Sequence, residues 1–229
     1  FCIAFTDQSG ERTFISTRGA ETKAPARAWA DFTATMHPGD VLYIDGYLMD
    51  HPANRQAAQA ALEALPEGVQ VILDVSPVIG IPQGLPARDV IVSMNHREAQ
   101  QIINQSAERA LEQGRSQGRE ASLVASLLGR PVVVRAGAKG AYFARPTAVP
   151  AEVSDATSAE VSAAAPAEGL AAAPAAVTTA ASANTGADVT YIPTPRVAAI
   201  DTNGAGDAHS GVLAAALAQA IPLERALLL

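Results

Sequence analysis

The chain has 229 residues, 48% of them hydrophobic and 17% charged, with a net charge of −7 and a pI near 5.1. That length and apolar content suit one large α/β domain with a real core, and the acidic balance without any basic run argues against a nucleic-acid partner. The single cysteine, Cys2, can form no internal disulfide and no apolar run is long enough to span a bilayer, so a cytoplasmic protein with no membrane partner is expected.

Phe1 to Asp7 and Thr13 to Thr17 are short runs rich in β-branched and aromatic residues around Gln8-Ser9-Gly10-Glu11, and read as a hairpin. From Ala24 to Met36, the residues Ala28, Trp29, Phe32 and Met36 recur at helical spacing, which predicts a helix with one buried face and Trp29 in the core. Val41-Leu42-Tyr43-Ile44 is a strand ending at Asp45-Gly46-Tyr47. Ligands of open α/β sheets lie beyond the carboxyl ends of strands, so Asp45 and Tyr47 are placed either to border a substrate or to make a turn with an aromatic plug. Asn54 to Leu65 is an amphipathic helix stopped by Pro66-Glu67-Gly68. Val69 to Leu73, ending at Asp74, and Val90-Ile91-Val92 are the next buried strands.

Strand gives way to helix at Asn95-His96-Arg97-Glu98, where Asn at the N-cap and Glu three residues on make a variant of the capping box. Ala99 to Gln113 and Glu120 to Leu128 read as helical. Val132-Val133-Val134 runs into Arg135-Ala136-Gly137-Ala138-Lys139-Gly140, a two-glycine turn before Ala141-Tyr142-Phe143. Lys139 reads as a solvated charge. Thr147 to Thr190 is dominated by Ala with Pro, Thr, Ser and Val and holds no Lys or Arg. Such a segment has too little large apolar surface to offset ordering at ~1–2 kcal/mol per residue, and is expected to be a disordered surface insertion. Tyr191-Ile192-Pro193 and Arg196 to Ile200 return to strand. Strand and helix alternate from Val41 onward, which implies a largely parallel sheet covered on both faces.

Asp201-Thr202-Asn203-Gly204-Ala205-Gly206-Asp207 then leads into an Ala/Leu-rich helix. The first N–H groups of a helix have no intrahelical partner and the macrodipole adds about half a positive charge there, while Gly204 and Gly206 let backbone approach a ligand closely; together these describe an anion site. Asp207 would repel a phosphate in that site unless its task is to take the proton of the nucleophile that attacks it. A plain helix start capped by Thr202 or Asp201 uses the same residue types.

This stretch matches every fixed position of Asp-Thr-x-Gly-Ala-Gly-Asp, the C-terminal signature of the ribokinase-like carbohydrate kinases, or PfkB family, which the chain resembles. The resemblance implies a ribokinase-like α/β fold with part of a small β lid, and transfer of phosphate from ATP to a hydroxyl of a sugar or sugar-like substrate. It implies Asp207 as catalytic base and Gly204, Ala205 and Gly206 as the anion hole. Asn95-His96-Arg97-Glu98 is similar to the family's Asn-x-x-Glu, associated with Mg²⁺ through water, and Asp74-Val75-Ser76-Pro77 to its Asp-x-Asn/Ser-Pro segment. The turn from Arg135 to Gly140 resembles Thr-Leu-Gly-x-x-Gly, which implies nucleotide contacts at Arg135, Gly137 and Gly140, with Arg135 standing where Thr is common. Asp201 falls where the family holds a monovalent cation such as K⁺. His209 stands where an aromatic residue is frequent.

The resemblance places residues 1–20 in the lid, where a second subunit often pairs, so a homodimer through the lid is expected. The chain starts at Phe1 within a strand-like run and ends within a helical pattern, and so reads as one partial kinase domain, a fragment lacking the N-terminal sugar-binding piece and the extreme C-terminus. A nucleoside or sugar-phosphate acceptor, or an inactive nucleotide-binding fragment, stands as the alternative.

Overall fold

The computed structural model describes residues 1–8, 12–78, 90–106, 117–146, 189–195, 197 and 204–229. Most of the 147–190 insertion and residues 201–203 fall outside them. Strands β3 (Val41–Asp45), β4 (Gln70–Asp74), β5 (Val90–Asn95), β6 (Val132–Arg135), β7 (Ala141–Ala144) and β8 (Val189–Ile192) form one six-stranded sheet in that spatial order. β3 to β6 run parallel, and β7 and β8 join antiparallel. The expected largely parallel sheet is therefore present.

Helices cover both faces, and the period-two alternation of the strands decides which side chain meets which layer. Val71 and Leu73 of β4, Val90 and Val92 of β5, and Val132 and Val134 of β6 pack with Leu62, Ile103 and Val124. These last belong to α2 (Pro52–Glu63), α3 (His96–Gln105) and α4 (Gln117–Leu128). Ile72, Ile91, Val133 and Phe143 face the other way, onto Leu213, Ala216 and Leu217 of α5 (Ala205–Ala218) and Ala226 of α6 (Leu223–Ala226). Strands buried on both faces read as continuous apolar runs, which is why Val132-Val133-Val134 shows no alternation in sequence.

Helix α1 (Ala26–Thr33) corrects one expectation. Thr33, rather than Trp29, is its buried residue; Trp29 is half-buried and Phe32 is 64% exposed. α1 packs on α2 instead of on the sheet, and the Thr33 hydroxyl donates to the Ala61 carbonyl of α2 at 2.7 Å, which explains how a polar side chain occupies the contact.

β1 (Cys2–Thr6) and β2 (Arg12–Ser16) pair antiparallel as a separate two-stranded sheet, with Ile3 opposite Ile15 and Ala4 opposite Phe14. Phe1, Ile3, Phe5, Phe14 and Ile15 are exposed. The segment leaving this hairpin is anchored to α2 by Asn54, a buried residue that accepts from the Ala24 amide at 3.1 Å and donates to the Glu21 carbonyl at 2.5 Å.

Candidate active site

The parallel register brings the carboxyl ends of four strands into one line. Asp45 pairs with Asp74, Asp74 with Ser93, and Asn95 with Arg135, so side chains separated by up to 90 positions in sequence share the edge where the strands give way to loops. Helix α5 packs across β3 and β4.

Helix α5 opens at Gly204, whose φ of +73° lies in the left-handed region, and no side chain among the described residues caps it. The expected caps, Thr202 and Asp201, both lie outside the described residues. Asp207 is the third residue of the helix and is exposed, so nothing walls its carboxylate off from solvent. The Ala208 amide donates to the Gly204 carbonyl at 2.8 Å. The amides of Ala205, Gly206 and Asp207 have no hydrogen-bond partner among the described residues. Three donors without a partner among the described residues, beside an exposed acid, make an arrangement of the kind an anion site with a neighbouring base requires.

The α3 mouth is built differently. Asn95 accepts from the Glu98 amide at 3.0 Å through Oδ1, and Glu98 accepts from the Asn95 amide at 2.6 Å, a complete capping box. Glu98 is only 8% exposed; burial raises its pKa, against the pull of that backbone hydrogen bond and one to Ser76. Among the described residues no three His, Cys, Asp or Glu side chains lie close enough to hold a metal ion. Asn95 Oδ1 and one Glu98 oxygen are engaged in the capping box, a donor set suited to an ion held through its water shell.

Other acids crowd the edge. The Asp45 side chain accepts from the Leu48 amide at 3.2 Å, capping the 3-10 turn Gly46–Met49, and its pKa is raised by burial and by the charges of Asp74 and Asp207. Burial and the fields of Asp74, Asp45 and Asp207 push Tyr43 up to about 12. Tyr47 is exposed, and its hydroxyl is raised by partial burial and by Asp45, Glu98, Cys2 and Asp207.

The Arg135 guanidinium turns inward. Its Nη2 lies 2.9 Å from Asp74 Oδ2, and Nη1 donates to the Gly206 carbonyl at 3.0 Å. Ser210 donates to Asp74 Oδ2 at 3.3 Å and lies 3.4 Å from Nη1, closing the cluster. Gly137 has φ +55° with nothing near the position of a Cβ, and its backbone is exposed; Gly140, at φ +81°, faces the Ile192 carbonyl so closely that no side chain fits. Lys139 is exposed. His209 is half-buried with an unpartnered Nδ1, and its pKa is lowered by burial and by Arg135.

Sequence reasoning missed the Asp74–Arg135–Ser210 cluster and a second polar link, in which Glu120 of α4 lies 2.7 Å from His96 Nδ1 and accepts from Gln100 at 3.3 Å. Only the arginine at a position where threonine is common hinted at the first. A cavity of about 380 Å³ lies at the opposite, amino edge of the sheet, between Gln70, Val90, Pro131, Leu217 and Pro222, and none of the expected site residues lines it.

The six-stranded, largely parallel sheet with helices on both faces is a ribokinase-like fold. The fold aligns with the crystal structure of ribokinase from Thermotoga maritima at a TM-score of 0.60 and 17% identity, over 99% of this chain and 59% of that one. It aligns with aminoimidazole riboside kinase from Salmonella enterica, complexed with aminoimidazole riboside and an ATP analogue, at 0.55 and 19%, over 95% of this chain and 61% of that one. In sequence the chain is similar to an uncharacterized sugar kinase, YegV, of Escherichia coli (strain K12), 29% identical over all of this chain and 58% of that protein. The profile of the pfkB family carbohydrate kinases matches residues 1–166 and 151–229, and the chain belongs to that family. It spans about three fifths of the length of these relatives.

Proposed function

We propose that this chain carries the phosphoryl-transfer machinery of an ATP-dependent kinase acting on a hydroxyl of a sugar or sugar-like molecule. The observation that carries the reading is the exposed Asp207 beside three amides at the α5 mouth without partners among the described residues. The acceptor hydroxyl sits between Asp207 and the γ-phosphate. As its oxygen bonds to the γ-phosphorus and the bond to the bridging oxygen breaks, Asp207 takes the hydroxyl proton and ADP leaves. The amides from Gly204 to Asp207 meet the charge that grows on the transferring group; by comparison with oxyanion donors, losing one such contact costs about 3 kcal/mol.

Asn95 and Glu98 would hold Mg²⁺ through water, and that ion would supply neutralisation of the nucleotide phosphates. The exposed backbone at Gly137 would meet the nucleotide and the buried Gly140 would hold the turn that presents it, whereas the inward guanidinium of Arg135 leaves that contact to the main chain. Asp201 is the proposed ligand of a monovalent cation such as K⁺. The exposed apolar residues of the β1–β2 hairpin supply a surface that covers the sugar and pairs with a second copy in a homodimer.

The test is Asp207→Asn in the full-length protein. ATP binding is retained while turnover falls by about 10²–10⁴; near-normal kcat removes Asp207 from its role. An acceptor screen over free sugars, nucleosides and sugar phosphates sorts the substrate class. ATP binding without acceptor-stimulated ADP release would favour a nucleotide-binding protein without activity.

A further inference from the structure

We propose that Arg135 is a positioning residue, which, braced by Asp74 and Ser210, fixes the first turn of α5 and with it the aim of Asp207. This rests on the assignment of Asp207 as the base. The starting point is that burying an ion pair gains little net stability, because desolvation offsets the attraction. Asp74 is 3% exposed and the Arg135 side chain 15%, so the pair has left water almost entirely.

The structure shows where the guanidinium's directionality goes. A guanidinium is planar and presents its donors in a fixed fork. One arm meets Asp74 Oδ2 on β4, while Nη1 donates to the Gly206 carbonyl. That carbonyl and the Asp207 N–H belong to a single rigid peptide unit, on opposite sides of it. Holding the oxygen from within the protein turns the N–H toward the helix mouth and fixes the Cα from which the carboxylate of Asp207 springs. Charge-assisted bonding at the oxygen also polarises the N–H. Ser210, one turn further along the helix, donates to the same Asp74 oxygen, so the first turn is held at two points.

Gly206 thereby gains a second task. A Cβ there would sit 3.1 Å from Arg135 Nη1 and 3.4 Å from Cζ, so a side chain would press on the guanidinium at its seat. The acid on β4, the arginine on β6 and the helix turn lock together only when all three are in place, which ties the geometry of the transfer site to the register of the sheet.

The experiment uses the full-length protein. Arg135→Lys keeps a cation beside Asp74 but cannot reach both partners, and kcat is expected to fall about ten- to a hundredfold with KM for ATP within about twofold. In the Asp207→Asn background, Arg135→Lys produces a smaller loss than in the parent, because the carboxylate it aims is already gone and only the backbone amides it orients remain. Should Arg135→Lys fold poorly, the neutral pair Asp74→Asn with Arg135→Gln leaves no buried charge unpaired and shows the same kcat loss. Unchanged kcat in a folded variant, a full additional loss on top of Asp207→Asn, or an effect confined to KM for ATP would each overturn the proposal. Near-normal turnover in Asp207→Asn alone would instead strike the assignment on which it rests.

Discussion

Gly46 follows β3 directly and packs against the Ser76-Pro77 backbone that follows β4, so replacing it by alanine is the sharpest structural perturbation of the site edge. A Cβ at that position would lie 2.5 Å from the Pro77 carbonyl oxygen and 2.9 Å from the carbonyl carbon and oxygen of Ser76. All three atoms are backbone, so no rotamer change relieves the contact, and the two loops must separate by roughly 0.5–1 Å to restore ordinary van der Waals spacing. Overpacking of this kind costs about 1–3 kcal/mol, and a contact this short belongs in the upper half of that range. The variant recovers about 0.5–1 kcal/mol because the unfolded chain loses glycine's freedom. The net expectation is a loss of about 1–2 kcal/mol, read by urea denaturation as a lower midpoint at unchanged slope. Because Asp45 and Asp74 flank the two loops, a raised KM for the acceptor is expected as well. An unfolding free energy within about 0.5 kcal/mol of the parent's would refute the close approach of these loops.

Two further predictions follow from buried polar groups. His209 has a pKa lowered from 6.5 by burial and by Arg135, so the unfolded chain binds its proton more readily. The stability it contributes is full above pH 6.5 and is lost as pH falls from there through the lowered value; His209→Asn abolishes that part of the pH dependence of the melting temperature, and a parallel pH profile for both proteins would contradict it. Glu120→Ala leaves His96 and Gln100 without their shared acceptor and should cost about 1–2 kcal/mol in thermal or chemical unfolding, with no change in KM for the acceptor.

What the sequence disclosed was governed by local periodicity and local chemistry. The Val/Ile runs of β4, β5 and β6, the helix between Pro52 and the Pro66-Glu67-Gly68 stop, and the Asn95/Glu98 capping box all have their causes within a few residues. The hairpin and the turn from Arg135 to Gly140 are equally local, and both are found where their residue types place them. What remained hidden depends on partners far along the chain. α1 was expected to bury Trp29 and Phe32 because its pattern cannot say that its neighbour is α2, with a carbonyl at Ala61 waiting for the Thr33 hydroxyl. The Arg135 guanidinium was expected at the nucleotide, since nothing near it in sequence announces Asp74 or the Gly206 carbonyl. The helix start was ambiguous among Asp201, Thr202 and Gly204 because capping types and left-handed glycine both occur there; the fold begins the helix after Gly204.

The central claim is that Asp207 deprotonates an alcohol beside a nucleotide's terminal phosphate, and a structure of the full-length protein with ADP, an acceptor and a planar phosphoryl mimic measures it most directly. The account predicts the acceptor oxygen within about 2.6–3.2 Å of the Asp207 carboxylate, with the mimic against the amides of the first α5 turn. An acceptor oxygen held by Asp45 or Tyr47 instead, with Asp207 facing bulk water, would contradict it.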